Sequence, residues 1–317
     1  MLPEGLTAIT YDLFSSLVAA TRTRWLVLTV PVLLFGAACG SQTNELRPPE
    51  SLDSASEQTT TIVSPTTADT SSTTIARTGP VRIMPLGDSI TEGDDPNKPT
   101  ENPQSYRGPL FAALVDAGYD VDFVGSQSRP SFEGDDDDHE GHGGYTIGPD
   151  NSFLFEGGED ANLAAHLDGW LDAAEPEVVL LMIGVNDQLP GEQEGGYSRL
   201  VEPADAPDKL VALVDRIRER APEAIVLISS YPPISFLVDP SLDHVANFTA
   251  LNTTARTLGS GTDPQVIYVP MFETLEDDWT EADTLATGDQ LHPSAQGARR
   301  MADVWFDTLT PVLDGLG

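Results

Sequence analysis

The chain has 317 residues, with 51 acidic and 16 basic side chains and a formal net charge of −35. This length allows one domain of moderate size with appended segments, and 39% hydrophobic residues allow a buried core. A body this acidic repels phosphate groups, which excludes nucleic acid as an expected partner and disfavours anionic lipid surfaces. A solvated acidic surface is favoured over electrostatic steering of a substrate. Cys39 is the single cysteine, so no disulfide forms within the chain.

The first 39 residues have the pattern of an export signal. Arg22 and Arg24 precede an apolar run at 25–38, which is too short to span a bilayer and suits a signal-peptide core. Small residues before Cys39 resemble the processing site of bacterial lipoproteins, where the cysteine carries the lipid. Ordinary secretion with cleavage near Ala38 is the alternative. Either way, we expect the protein outside the cytoplasm, secreted or lipid-anchored at a bacterial envelope, with a lipid on Cys39 as its only membrane contact.

The next segment, residues 40–79, is predicted to be a disordered linker. Between residues 41 and 79, 17 of 39 positions are Ser or Thr, and large apolar side chains are almost absent. Such a segment cannot bury enough apolar surface to offset the entropy lost on ordering. The folded domain is therefore expected at 80–317.

Strand and helix patterns alternate from residue 80 onwards. Five short apolar runs predict strands at 81–86, 120–124, 178–183, 224–229 and 266–269, and helical spacing predicts helices at 104–117, 161–173, 208–220 and 295–313. Alternation of this kind predicts an α/β fold, a flavodoxin-like three-layer sandwich with a five-stranded parallel sheet and helices on both faces. Active sites of such folds lie beyond the carboxyl ends of the strands.

Two segments at these strand ends carry the residues of nucleophilic catalysis. Gly87-Asp88-Ser89 follows the first strand, where the glycine permits a sharp turn that presents the serine hydroxyl. Asp289 and His292 precede the last helix. A histidine is a suitable base for a serine at neutral pH, and a carboxylate three residues earlier can orient the imidazole. Taken alone, the first segment could be an ordinary capped turn and the histidine a structural one.

Two further segments could stabilise negative charge in a transition state. Gly184-Val185-Asn186-Asp187 follows the buried run at 178–183, and the Asn186 amide could donate to an oxyanion. An Asx turn, which any Asn-Asp pair could make, is the alternative. The glycine-rich segment 140–146 follows the second strand, where a free backbone N–H could serve the same purpose.

Together, in this order and spacing, the four segments resemble the blocks of the SGNH (GDSL-type) hydrolases over residues 80–315. The resemblance implies a serine esterase with Ser89 as nucleophile, His292 as base and Asp289 as its orienting acid. It implies an oxyanion hole made by the amides of Ser89 and Gly144 and the side chain of Asn186, with Asp88 supporting the nucleophile turn. Gly144 is preferred because Thr146 follows it by two residues, as in the family. Gly143 and Gly125 remain candidates for that position.

Shorter strings are similar to those of carbohydrate esterase family three, the acetylxylan esterases. They are the segment 84–93 around Ser89, Tyr106-Arg107-Gly108, the segment 123–126 and the segment 139–142. This resemblance implies hydrolysis of small acyl esters, above all acetyl esters, on a small-molecule or polysaccharide substrate. A lipid-directed esterase or lysophospholipase, an acyltransferase, and a non-catalytic carbohydrate-binding surface protein are the alternatives.

The acidic run at 135–138, beside His139, Glu140 and His142, raises the question of a metal. Clustered oxygen ligands could hold calcium, but the spacing matches no standard calcium loop, and a solvated acidic loop is favoured. The two histidines also lack the spacing of zinc proteases. The mechanism implied by the resemblance needs no metal and no cofactor, and the oligomeric state is left open.

Overall fold

The computed structural model describes residues 78–93, 104–148, 160–188, 205–234, 245–285 and 291–317. The predicted signal peptide at 1–39 lies outside these residues, as does the linker at 40–79 except for its last two positions. Both therefore stay predictions. Asp289 also lies outside the described part of the chain.

Seven strands form one sheet in the described residues: β1 (Val81–Gly87), β2 (Val121–Phe123), β3 (Gln127–Ser128), β4 (Asp138–Gly141), β5 (Val178–Met182), β6 (Ile225–Ser229) and β7 (Val266–Val269). The strands β2-β1-β5-β6-β7 lie side by side in this order, and all are parallel. Numbered along the chain, these five strands have the spatial order 2-1-3-4-5 of flavodoxin-like folds. The predicted fold class is confirmed, and its five strands are those expected.

The central strands are apolar because both faces of the sheet are covered. All five residues of β5 are fully buried, and β6 is buried from Val226 to Ser229. A parallel strand covered by helices on both sides has no solvent face on which polar residues would alternate. Uninterrupted apolar runs therefore predict these strands well.

The short strands β3 and β4 were not predicted. β2 pairs with the first half of β1, up to Ile83, whereas β4 pairs with its end, where Leu86 lies opposite Glu140 and Gly87 opposite Gly141. β3 pairs with β4 in antiparallel orientation. Neither strand has an apolar pattern, since their sequences are QS and DHEG. Their effect is to bring the segment after β4 beside the segment after β1.

The described helices are α1 (Ser89–Glu92), α2 (Arg107–Asp116), α3 (Leu163–Ala174), α4 (Ala206–Arg220), α5 (Val245–Gly259), α6 (Met271–Leu275) and α7 (Ala295–Leu316). The four predicted helices correspond to α2, α3, α4 and α7, with ends that differ by at most three residues. Helix α5 was not predicted, because only Phe248, Leu251 and Ala255 of its 15 residues are buried. No helix among the described residues is long and apolar enough to cross a membrane.

The helices form two groups, with α2 packed against α7, and α4 packed against both α3 and α5. The α2–α7 contact includes stacked rings of Tyr106 and Trp305, whose centroids are 5.5 Å apart. Both side chains are almost completely buried. Tyr106 also links this packing to the nucleophile turn, because its hydroxyl shares a 3.2 Å hydrogen bond with the Thr91 hydroxyl.

Candidate active site

The nucleophile turn lies directly at the carboxyl end of β1. Asp88 is the N-cap of α1, and its Oδ1 accepts a 3.0 Å hydrogen bond from the Ile90 amide. Ser89 is the first residue of the helix. Its backbone N–H therefore has no hydrogen-bond acceptor within the helix and points outward from the helix N-terminus. Gly87 must be glycine here, because a Cβ would lie 2.3 Å from the Met182 carbonyl oxygen and 2.4 Å from the Thr91 hydroxyl.

Ser89 and His292, 203 residues apart in the chain, are in hydrogen-bond contact. The distance between Ser89 Oγ and His292 Nε2 is 2.8 Å. Ser89 is 6% exposed and His292 is half-buried. The histidine segment is anchored by a 2.9 Å bond from the Leu285 amide to the His292 carbonyl and by a bridge between Thr284 and Pro293. The geometry permits direct transfer of the serine proton to the imidazole.

Asn186 lies after β5 and turns toward the segment that follows β4. Its Nδ2 donates a 2.8 Å hydrogen bond to the carbonyl of Tyr145, and the residue is 4% exposed. The neighbouring Asp187 accepts a 3.1 Å bond from the Ile147 amide. An Asn amide carries two hydrogens, so one is used by Tyr145 and the second can point elsewhere. The loops after β4 and β5 are thereby joined by two side chains.

The three glycines considered for the oxyanion hole have different surroundings. The amide of Gly143 donates a 2.6 Å hydrogen bond to Oε2 of Glu92. A Cβ on Gly125 would lie 2.1 Å from the His139 carbonyl, so close packing explains why this residue is a glycine. Gly144 has φ 77°, a left-handed conformation that favours glycine. These surroundings favour Gly144 as the candidate oxyanion donor, because the amide bonded to Glu92 is that of Gly143.

Asp88 and Tyr231 form a buried bridge beneath the nucleophile turn. The Tyr231 hydroxyl donates to Oδ2 of Asp88 and accepts a 3.0 Å bond from the Val185 amide, one residue before Asn186. Burial raises the pKa of the Asp88 carboxyl to about 6, although bonds from Tyr231 and Ile90 and the charge of His292 act in the opposite direction. Burial also raises the pKa of Tyr231 well above 10, so this hydroxyl keeps its proton.

This buried carboxyl should make the stability of the fold depend on pH. Between pH 3.8 and about 6 the folded state binds more protons at Asp88 than the unfolded state does, so the free energy of unfolding falls as pH rises through this window. Asp88→Asn removes the charge and keeps an N-cap side chain. We expect it to raise the free energy of unfolding by up to about 3 kcal/mol at pH 8 and to have little effect at pH 3.5.

Urea unfolding of both proteins at pH 3.5, 5, 6 and 8 measures this difference. A difference that stays constant over the whole pH range would show that the ionisation of Asp88 is not its cause.

Arg107 holds the other end of α1, a function that the sequence did not reveal. This fully buried side chain donates to the carbonyls of Thr91 at 2.9 Å and Glu92 at 3.2 Å. It also donates to the carbonyls of Arg129 and Asp137 in the β3–β4 hairpin. The last carbonyls of a helix lack partners within it, and a cation near them is favourable. Arg107 therefore connects the nucleophile helix to the hairpin.

In the acidic run at 135–138, the side chain of Asp136 is engaged in hydrogen bonds with backbone amides. Asp136 accepts from the Phe123 amide at 2.7 Å and from the Asp138 amide at 3.1 Å. Within the described ranges, no three His, Cys, Asp or Glu side chains are grouped so that they could hold a metal ion.

The buried Glu140 and the half-buried His142 are paired beside the nucleophile turn. His142 Nε2 and Glu140 Oε1 are 2.6 Å apart, and the carboxylate also accepts from the amide and hydroxyl of Ser126, each at 2.7 Å. The imidazole stacks on Tyr145 and on Trp170, with ring centroids 4.7 and 4.4 Å away. These contacts fix the start of the segment that carries Gly143 and Gly144.

Comparison with known proteins gives a consistent result. The model of the GDSL-like lipase/acylhydrolase family matches residues 86–300. A multidomain esterase of Ruminococcus flavefaciens is 28% identical in an alignment of 253 positions that covers 73% of this chain and 28% of that protein. The chain thus spans little more than a quarter of the length of this curated relative.

Solved structures share the fold. A family 3 carbohydrate esterase of Clostridium thermocellum has a TM-score of 0.54 and 28% identity, covering 74% of this chain and 98% of its own. A carbohydrate esterase family 3 structure from Talaromyces cellulolyticus has a TM-score of 0.55 and 22% identity, covering 75% of this chain and all of its own. The second likeness, at this identity, concerns the fold alone.

Proposed function

Because this chain belongs to the GDSL-like lipase/acylhydrolase family, we propose that it is a carboxylic ester hydrolase that uses Ser89 as its nucleophile. The observation that carries this proposal is the 2.8 Å contact between Ser89 Oγ and His292 Nε2 at the carboxyl ends of the strands. A serine hydroxyl is a weak nucleophile until a base takes its proton, and the contact supplies such a base.

In the proposed reaction, Ser89 Oγ attacks the ester carbonyl while its proton passes to Nε2 of His292. The tetrahedral intermediate collapses, and His292 gives the proton to the leaving alkoxide. Water then attacks the acyl-enzyme, His292 takes a proton from that water, and the proton returns to Ser89 Oγ as the carboxylic acid leaves. Asp289 is proposed to orient the imidazole and to stabilise its cationic form.

The oxyanion is proposed to be bound by three donors from three loops. They are the amide of Ser89 at the start of α1, the amide of Gly144 and the side chain of Asn186. Preorganised donors of this kind stabilise the charge that develops on the carbonyl oxygen. The engagement of Gly143 by Glu92 supports Gly144 as the second donor, and the Tyr145 carbonyl holds the Asn186 amide in a defined orientation.

We further propose that the substrate is a small acyl ester, above all an acetyl ester, on a carbohydrate. The support is the likeness, at 28% identity, to a structure described as a family 3 carbohydrate esterase. The formal charge of −35 is compatible with a neutral carbohydrate and unfavourable for an anionic lipid surface.

A substrate panel tests this function. The purified protein should release acetate from acetylated xylan and acetylated oligosaccharides. It should also hydrolyse p-nitrophenyl acetate with a higher kcat/KM than p-nitrophenyl decanoate or palmitate. A fluorophosphonate probe should label Ser89, identified by mass spectrometry of peptides. Preference for the long acyl chains would support a lipid-directed esterase instead, and absence of both labelling and hydrolysis would contradict the enzymatic function.

The location outside the cytoplasm remains a proposal based on residues 1–39. Mass spectrometry of the mature protein distinguishes a lipoprotein from an ordinary secreted protein. A lipoprotein would begin at a lipidated Cys39 and would be found in the membrane fraction, whereas ordinary secretion would give a protein cleaved near Ala38 without a lipid. An N-terminus that retains residues 1–38 in the cytosol would contradict export.

A further inference from the structure

Glu92 makes a side-chain contact that joins the nucleophile helix to the glycine-rich turn. It lies three residues after Ser89 in α1, and its Oε2 accepts a 2.6 Å hydrogen bond from the Gly143 amide. A Cβ built on Gly143 would lie 2.8 Å from this oxygen and 3.8 Å from Cβ of Ser89. The Glu92 carboxylate is therefore a close neighbour of the nucleophile, although it has no place in the proton-transfer scheme.

This contact determines which amides of the turn remain for a substrate. Because the Gly143 N–H is bonded to Glu92, the next backbone N–H that could bind a substrate is that of Gly144. The turn is also held at its start, because the His142 amide donates to the Gly87 carbonyl at 2.9 Å. The Glu92 bond thus fixes the position of the turn relative to α1, and with it the distance between Ser89 and the Gly144 amide.

A carboxylate so near a developing oxyanion would raise the reaction barrier if its charge were unpaired, since like charges repel strongly away from bulk water. Arg129 supplies the opposite charge, with Nη1 2.8 Å from Glu92 Oε1. Both side chains are mostly buried, at 21% and 26% exposure. The Arg129 backbone is itself held, because its amide donates to Asp137 and its carbonyl accepts from Arg107.

We propose that Glu92 is a positioning residue for the oxyanion hole and that Arg129 neutralises it. Glu92 holds the Gly143 amide so that the Gly144 amide faces the reacting carbonyl, and Arg129 keeps the carboxylate in place and offsets its charge. The inference rests on the proposed function, since it concerns the same oxyanion. It also gives the β3–β4 hairpin a function, because this hairpin carries Arg129.

Substitutions at Glu92 separate its hydrogen bond from its charge. Glu92→Ala loses the acceptor, and a small displacement of an oxyanion donor is costly, so we expect kcat for p-nitrophenyl acetate to fall about tenfold or more with KM within twofold. Glu92→Gln keeps one acceptor oxygen for the Gly143 amide and loses the second acceptor, which bonds Arg129, so it should retain kcat within about threefold. Glu276→Ala, at an exposed position after α6, is the matched control and should not change kcat.

Arg129→Met tests the charge. It removes the ion-pair partner of the Glu92 carboxylate, so we expect a fall in kcat of about tenfold. The double variant Glu92→Gln with Arg129→Met should recover most of that loss, because neither charge of the Glu92–Arg129 pair remains. A double variant that is as slow as Arg129→Met, or slower, would overturn the electrostatic part of the proposal.

Binding of phenylboronic acid, which forms a tetrahedral adduct with a serine nucleophile, distinguishes positioning from general damage to the fold. Its inhibition constant should rise in Glu92→Ala by about the same factor as kcat falls, while the inhibition constant of acetate and the melting temperature change little. Unchanged kcat in Glu92→Ala, or equal losses in the Ala and Gln variants, would overturn the positioning role. Failure of the proposed function itself would be seen separately, as a wild-type protein that no fluorophosphonate labels.

Discussion

Ser89→Ala is expected to remove nearly all ester hydrolysis, lowering kcat for p-nitrophenyl acetate by about a millionfold. Alanine has no oxygen to form the acyl-enzyme, and the imidazole at 2.8 Å then has no proton to accept. The fold should remain intact, because alanine takes up no more space than serine at this buried position and the Asp88 cap on the Ile90 amide is unchanged. Initial rates, far-UV circular dichroism and fluorophosphonate labelling measure the three expectations.

His292→Ala should cost about as much as Ser89→Ala, and the double variant should be no slower than either single one, because the two groups act as a unit. Ser260→Ala, at an exposed position after α5, is the matched control and should retain full activity. Substantial hydrolysis by folded Ser89→Ala protein would refute the assignment of the nucleophile.

Asn186→Ala is expected to lower kcat by about 10²–10³-fold with a smaller change in KM, the loss found when one oxyanion donor is removed. The second hydrogen of its Nδ2 is the donor in question, since the first is bonded to the Tyr145 carbonyl. Steady-state kinetics with p-nitrophenyl acetate gives both constants, and single-turnover acylation shows whether the chemical step is affected.

Asn186→Asp is a sharper variant, because it replaces the donor by a negatively charged acceptor of the same shape, and kcat should fall further. Asn247→Ala, on the half-exposed side of α5, is the matched control. If Asn186→Ala kept its kcat, the side chain would have only the structural role of joining two loops.

The candidate site could be assembled from the sequence because its parts are local. Gly87-Asp88-Ser89 and Asn186 each follow a strand that an apolar run predicts, and the carboxyl ends of parallel strands lie at one edge of a sheet. The prediction that Ser89 and His292 lie at the same edge agrees with their contact in the structure. The variants above test the functional roles of these residues.

Residues that support the site could not be found in this way. Tyr231 is bonded to Asp88 across 143 positions of the chain, and no short pattern marks such a pair. Glu92 and Arg129 are ordinary charged residues in the sequence, and their meeting with Gly143 depends on the unpredicted β3–β4 hairpin. The choice among Gly125, Gly143 and Gly144 likewise rests on which amide Glu92 engages.

By itself, the sequence determined the fold class, the five parallel strands and the edge of the sheet at which the chemical groups meet. These follow from apolar runs and turn residues, whose effects extend over only a few neighbouring positions. Only the tertiary structure decided how the loops at that edge are held. They are held by the Asp88–Tyr231 bridge, by the hydrogen bonds of Arg107 to the end of α1 and by the Glu92–Gly143 contact. Each depends on packing that brings distant segments within hydrogen-bond distance, and a linear pattern carries no such information.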